Sequence, residues 1–170
     1  MSFQGAVSLE STIRCSLQTR DASNVPIDGD DFPTFRVYSA NGLILSGQVA
    51  TYRHSGNITG ATNAAPIVIT SVAHGLSTGN RVKVASVGGN TAANGSFTVT
   101  RLTADTYSLD GSTGNGAYTS GGTWHVAGLY ILSIAATAAN GFDAGNSYTV
   151  SASWAISASA RADTFSFSVY

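Results

Sequence analysis

Gly75-Leu76-Ser77-Thr78-Gly79 fits the G-x-S-x-G spacing of a nucleophile elbow, and His74 stands beside it. In that elbow a strand enters a sharp turn and a helix leaves, which lifts the serine oxygen above a sheet. Here Asn80-Arg81-Val82-Lys83-Val84 follows and alternates as a strand. The spacing therefore predicts a β-turn at Ser77 and no nucleophile. Asp28, Asp30 and Asp31, with Asp21 and Asn24, form the one acidic cluster. Calcium takes about six to eight oxygens, and no glutamate closes this loop in the manner of an EF-hand. Solvated turn residues are the plainer reading, with calcium at Asp28–Asp31 as the alternative. His54, His74 and His125 lack any H-x-x-x-H spacing. His54 and His125 are placed to face each other across a stem, either as a metal pair or as ordinary cross-strand neighbours. Cys15 alternates with Ile13 and Leu17, which makes it a small buried hydrophobe. Tyr52, Tyr107, Tyr118, Trp124 and Tyr130 offer rings for sugar stacking, or for cores and subunit contacts. Gly114-Asn115-Gly116 lacks a third glycine at the dinucleotide spacing, and no G-K-[ST] occurs. No catalytic, cofactor-binding or metal-ligating residue is assigned, and no cofactor is expected.

Composition narrows the classes that remain. The 170 residues carry 8 basic and 9 acidic side chains, a formal charge of −1, and charged residues make up only 10%. An ordinary domain has roughly a quarter. Ser and Thr take up the difference, at 23 and 19 residues. With Lys83 the single lysine and no arginine cluster, nothing is arranged to neutralise phosphates, so no nucleic-acid partner is expected. A hydrophobic content of 43% argues against disorder. No apolar run approaches the ~18 residues of a membrane span. Met1-Ser2-Phe3-Gln4-Gly5-Ala6 lacks a basic start and an apolar stretch, so synthesis in the cytoplasm without secretion is expected.

Period-two alternation appears throughout, and helical periodicity almost nowhere. Tyr148, Val150, Ala152, Trp154 and Ile156 share one face of a strand. Phe165, Phe167 and Val169 repeat the pattern, as do Ile13, Cys15 and Leu17 near the start. Thr34–Ser39 and Leu43–Tyr52 flank Ala40-Asn41-Gly42, a hairpin signal. Ala135–Ala139 has room for one helical turn. The segment from about Asn57 to Gly122 is richer in Gly, Asn and Thr, with short strands predicted at Ile67–Val72, Arg81–Ser86, Gly95–Leu102 and Thr106–Asp110. With that segment lifted out, Leu43–His54 and Trp124–Ile134 read as consecutive strands of one hairpin. The expectation is an all-β chain. An outer sandwich, 1–56 plus 123–170, has the usual size of an immunoglobulin-like domain. A small β-barrel-like domain, 57–122, is inserted in a hairpin loop, where folding tolerates insertion well. Thr91-Ala92-Ala93-Asn94-Gly95 recurs as Thr137-Ala138-Ala139-Asn140-Gly141, which shared turn chemistry explains.

Ile67–Val82, Val87–Val99 and Tyr107–Trp124 resemble a small β-domain common in tailed-bacteriophage virion proteins. Such segments are labelled as similar to the first catalytic-cysteine half-domain of ubiquitin-activating enzymes. This segment holds no cysteine, so activating chemistry does not carry over. Phe35-Arg36-Val37-Tyr38, Gly128-Leu129-Tyr130 and Ala139–Val150 resemble the immunoglobulin-like domains of phage tail, baseplate and capsid-decorating proteins. The resemblance implies a non-enzymatic structural subunit of a virion, exterior on the capsid or at the neck or tail. Its partners would be other virion proteins, with homo-oligomerisation within the particle, and neither nucleic acid nor membrane. The alternative is a carbohydrate- or host-surface-binding module of the particle. An enzyme is disfavoured, since a glycan hydrolase needs two carboxylates flanking a cleft.

Overall fold

The structure, a computed structural model, describes residues 6–170. The expectation drawn from Met1 to Gly5 lies outside the described residues. The strands run β1 (Ala6–Val7), β2 (Thr12–Gln18), β3 (Thr34–Ser39), β4 (Gly42–Val49), β5 (Thr51–Tyr52), β6 (Ser55–Asn57), β7 (Gly60–Ala61) and β8 (Ile67–Thr70). They continue with β9 (Arg81–Ala85), β10 (Gly95–Arg101), β11 (Thr106–Leu109), β12 (Thr123–Val126), β13 (Leu129–Ala135), β14 (Ser147–Ile156) and β15 (Ser159–Val169). The helical content described is two 3-10 turns, Thr91–Ala93 and Ala138–Asn140. The fold is all-β, as expected. Each copy of the repeated pentamer makes one of those turns. The chain divides into two compact units, Met1–Arg53 with Gly128–Tyr170, and His54–Ala127.

The first unit is a two-layer sandwich. One sheet has the order β1-β15-β14-β3-β4, the other β2-β13-β5. Strand alternation supplies the facing surfaces: Ile13, Cys15, Leu17, Tyr130, Leu132 and Ile134 from the smaller sheet. Phe35, Val37, Tyr148, Val150, Ala152 and Phe167 come from the larger one. Their opposite faces are wet, the pattern of antiparallel layers with one buried side. Phe142, Tyr148 and Phe167 stack at one end of this core. The Tyr148 hydroxyl accepts from the Asp143 N–H at 2.6 Å, tying the start of β14 to the loop before it. Trp154 packs against the same core from the edge of the cluster. It is half-buried, and its indole N–H is buried with no partner among the described residues.

Gly42–Val49 does not join the hairpin expected of Leu43–His54. It pairs with β3 across the Asn41-Gly42 turn, with Ser39 opposite Gly42 and Thr34 opposite Val49. At buried Ala50, whose N–H donates to the Pro33 carbonyl at 3.0 Å, the chain leaves that sheet. Only Thr51 and Tyr52 then pair with Ile131 and Tyr130. The short stem therefore belongs to the smaller sheet.

The second unit is a curled, barrel-like sheet of order β6-β12-β9-β10-β11-β8-β7. Its two ends, β6 and β7, are separated in the chain by Ile58 and Thr59 alone. They are halves of one bent strand, so the sheet returns on itself. Ile58, Ile67, Ile69, Val82, Val84 and Val99 fill the interior with Tyr107, Leu109 and Trp124. The unit begins at His54 and ends at Ala127, outside the Asn57 and Gly122 where composition changes, because Ser55–Asn57 pairs with Thr123–His125. Val126 N–H closes that pairing on the His54 carbonyl at 2.9 Å.

Candidate functional site

The residues singled out by type fall apart in three dimensions. Ser77 is exposed, in a turn in which Asn80 N–H donates to the Ser77 carbonyl. The Asn80 carboxamide in turn accepts the Ser77 N–H at 2.9 Å. No helix follows; the chain runs into β9. The carboxylates of the acidic loop face backbone. Asp21 accepts from Ser23 and Val25 N–H, Asp28 from Gly128 N–H, and Asp30 from Ser157 and Ala158 N–H. Among the described residues no cluster of three or more metal-ligating side chains occurs. Cys15 is fully buried, and burial pushes its thiol up to about 12. The aromatic platform divides. Tyr52 and Tyr130 stack at 5.5 Å with Phe32 beside them in the sandwich, whereas Tyr107 and Trp124 meet edge-on at 6.1 Å in the barrel. Burial, and then the nearby Asp28 charge, hold Tyr130 up to about 12 against the bond from Gly29 N–H. The same two causes, burial first, raise Tyr52. Tyr118 bonds the Ile58 and Gly121 carbonyls and takes no part in either stack.

His54 and His125 take opposite faces of their strands. On β12, Trp124 points inward and His125 lies on the opposite face, while the His54 ring packs edge-on against Trp124 at 5.3 Å. His54 and His74 instead come to one place, a cleft of about 350 Å³ in the barrel unit. It sits at the seam of the curled sheet. The bent strand pairs with β12 through Ser55–Asn57 and with β8 through Gly60–Ala61. Ser71–Ala73 continues beyond β8, and no ladder joins it to Ser55–Asn57. One wall of the cleft is His54, Ser55, Asn57 and Thr59; the other is Ser71, Val72 and Ala73.

The floor is rigid for identifiable reasons. Trp124 N–H donates to the Ser71 hydroxyl at 2.8 Å, both groups buried. Gly56 crosses over the indole so closely that a Cβ there would lie 2.9 Å from Trp124 Nε1. Any other residue would have to push the ring aside. His74 Nδ1 accepts from Leu76 N–H at 3.0 Å, which leaves Nε2 as the donor toward the Thr103 and Thr106 carbonyls at 3.2 and 3.3 Å. Both of its nitrogens are engaged, so His74 is a structural member of the floor. Gly56 turns toward the indole, so Ser55 and Asn57 project to the other side of the strand, at the rim, while His54 lies against Trp124. The His54 ring, the Ser55 hydroxyl and the Asn57 carboxamide make no hydrogen bond among the described residues. Sequence reasoning named His54, His74 and Trp124, but missed Ser55, Asn57 and Ser71. Only the bending of one strand brings these to a common cleft, and no local pattern marks them.

No protein family matches the chain. No curated protein matches it either. Among solved structures, the phage phi92 endosialidase is similar at 14% identity and a TM-score of 0.31, over 97% of this chain and 27% of that one. The chain thus spans about a quarter of that protein's length. Nothing of that enzyme's activity transfers on such a likeness.

Proposed function

We propose that this chain is a non-enzymatic structural subunit of a tailed-phage virion, an accessory protein on the exterior of the capsid, neck or tail. In this reading the immunoglobulin-like sandwich docks and the inserted barrel projects. The observation that carries it is the free edge of the larger sheet. β4 is eight residues long, exposes Leu43 and Val49 by 52% and 56%, and lies within 37–52, a stretch with no charged residue. Soluble proteins guard such edges with charge or proline, because an open strand is a template for another chain. Two register shifts interrupt the ladder, one around Gly47 and one at Ile44, and neither charge nor proline guards the strand. Coverage by a strand of a neighbouring virion subunit, including another copy, satisfies that edge. The sandwich topology supports the immunoglobulin-like assignment. A tyrosine at the start of β14 bonds back to backbone five residues upstream, as the tyrosine corner does in such domains.

The test is incorporation. Leu43→Lys with Val49→Lys, both on exposed positions, should leave the chain folded by circular dichroism. Virions assembled with this variant should lack the subunit on a denaturing gel. Incorporation at the level of the unsubstituted chain overturns the reading. Association should also depend weakly on salt, since contacts without charge clusters are screened little. Subunits shed on moving from about 0.1 to 1 M salt would contradict that. The second reading, a carbohydrate- or host-surface-binding module, is favoured by the cleft on the barrel.

A further inference from the structure

We infer that the seam cleft of the barrel binds a neutral saccharide of about one or two sugar units. The inference deepens the second reading above and is independent of how the sandwich docks. Five observations carry it. At about 350 Å³ the cleft lies at the small end of ligand pockets. That is too compact for a long peptide. Its lining holds no Asp, Glu, Lys or Arg, so neither a carboxylate nor an ammonium ligand would find a counter-charge there. Its polar groups are of mixed type. The Asn57 carboxamide offers donor and acceptor, as do the Ser55 hydroxyl and the His54 imidazole, and none of the three makes a hydrogen bond among the described residues. Hydroxyls on a sugar ring are likewise both donors and acceptors, and they match such a rim without leaving either side unpaired. The half-buried His54 ring gives an aromatic face or edge for the sugar's C–H surface, held in place by Trp124 beneath it. Because Ser71 and His74 are fixed by their own bonds, the floor is formed before any ligand arrives, and little ordering is needed on binding.

The experiment uses the full chain with Trp154→Phe, which leaves Trp124 as the single indole. The change removes a buried unpartnered donor, so the fold should tolerate it. The probes are N-acetylglucosamine, galactose, N-acetylneuraminic acid as the charged sugar, and an extended Ser/Thr/Val pentapeptide. A neutral sugar should change Trp124 emission saturably, with a dissociation constant of about 1–10 mM. His54→Ala and Asn57→Ala should each weaken it by about tenfold, the loss of one good hydrogen bond, with unchanged melting temperature. No saturable response up to about 100 mM overturns the inference. So does a response that survives both substitutions, or binding of the charged sugar or the peptide alone. The same two variants should still be incorporated into virions at the normal level. Their loss from the particle would instead count against the docking role given to the sandwich.

Discussion

The sandwich and the barrel secure their turns with different side chains. In the sandwich two carboxylates each hold a pair of N–H groups, beside single caps from Ser39, Thr137 and Asn140. Asp30 takes two adjacent N–H groups, of Ser157 and Ala158, and Asp21 takes those of Ser23 and Val25. In the barrel carboxamides dominate. Asn94 accepts from Val87 N–H at 2.8 Å and donates to the Val87 carbonyl at 3.1 Å. Asn90 likewise donates to the Thr62 carbonyl and accepts from Asn115 N–H. A carboxylate only accepts, so it suits a tight turn that presents several N–H groups together. A carboxamide carries both functions and bridges two segments like an added peptide rung. Asp105, which accepts from Ala73 N–H, is the barrel's exception and serves an N–H-presenting turn there. Few charges and many small polar residues thus reflect a unit whose loops are laced to one another.

The sharpest way to break the comparison is to remove one partner entirely. Replacing His54–Ala127 by a single asparagine leaves Asn-Gly128 as a two-residue turn between Arg53 and Leu129, already joined by a 3.0 Å bond. Gly128 has φ +66°, which such a turn needs, and its own environment forbids a side chain, since a Cβ would lie 2.6 Å from the Thr19 carbonyl. The sandwich should keep a cooperative melt and its near-ultraviolet circular dichroism. A molten product would mean that the two cores are one.

Next in size is Trp124→Ala. It should destabilise the barrel by about 3–5 kcal/mol and leave the sandwich intact. Cys15 reports on the sandwich alone. With its thiol pushed up to about 12 by burial, it should resist a disulfide reagent near pH 8 in both proteins. Rapid labelling of the variant would show that the units unfold together. The sign is fixed by burial. The folded state holds the neutral thiol, so this contribution is present below the unfolded value and is lost as pH rises toward about 12.

A matched pair of isosteric changes probes the turn chemistry itself. Asn94→Asp sets an acceptor against the Val87 carbonyl and should cost the barrel about 1–3 kcal/mol in a denaturant titration. Asp30→Asn loses one of two accepting oxygens and should cost the sandwich about 1 kcal/mol. Equal effects in the two units would remove the distinction. The smallest change is a gain. Ser157 and Ala158 both sit at positive φ, 50° and 60°, in the two-residue turn between Ile156 and Ser159. Ser157→Asn with Ala158→Gly suits that turn better and should raise sandwich stability by about 1–2 kcal/mol, seen as a higher melting temperature.

Much of the fold was legible from period two. Ile13, Cys15 and Leu17 are buried as a set, Tyr148, Val150 and Ala152 as another, and the Asn41-Gly42 hairpin and the Ser77 turn form where local chemistry places them. Alternation says which side chains share a face, and turn residues say where the chain reverses. Both are short-range properties of the backbone. Neither says which strand lies alongside. Leu43–Val49 fits β3 or β13 equally well by alternation, and the choice fell to the chain crossing between sheets at Ala50. The opposite faces taken by His54 and His125, the division of the aromatic residues between two cores, and the meeting of Ser55, Asn57 and Ser71 at one seam followed from that long-range pairing. Carboxylates that looked like a cation loop became turn anchors, because the N–H groups they hold come from Gly128, Ser157 and Ala158, far along the chain.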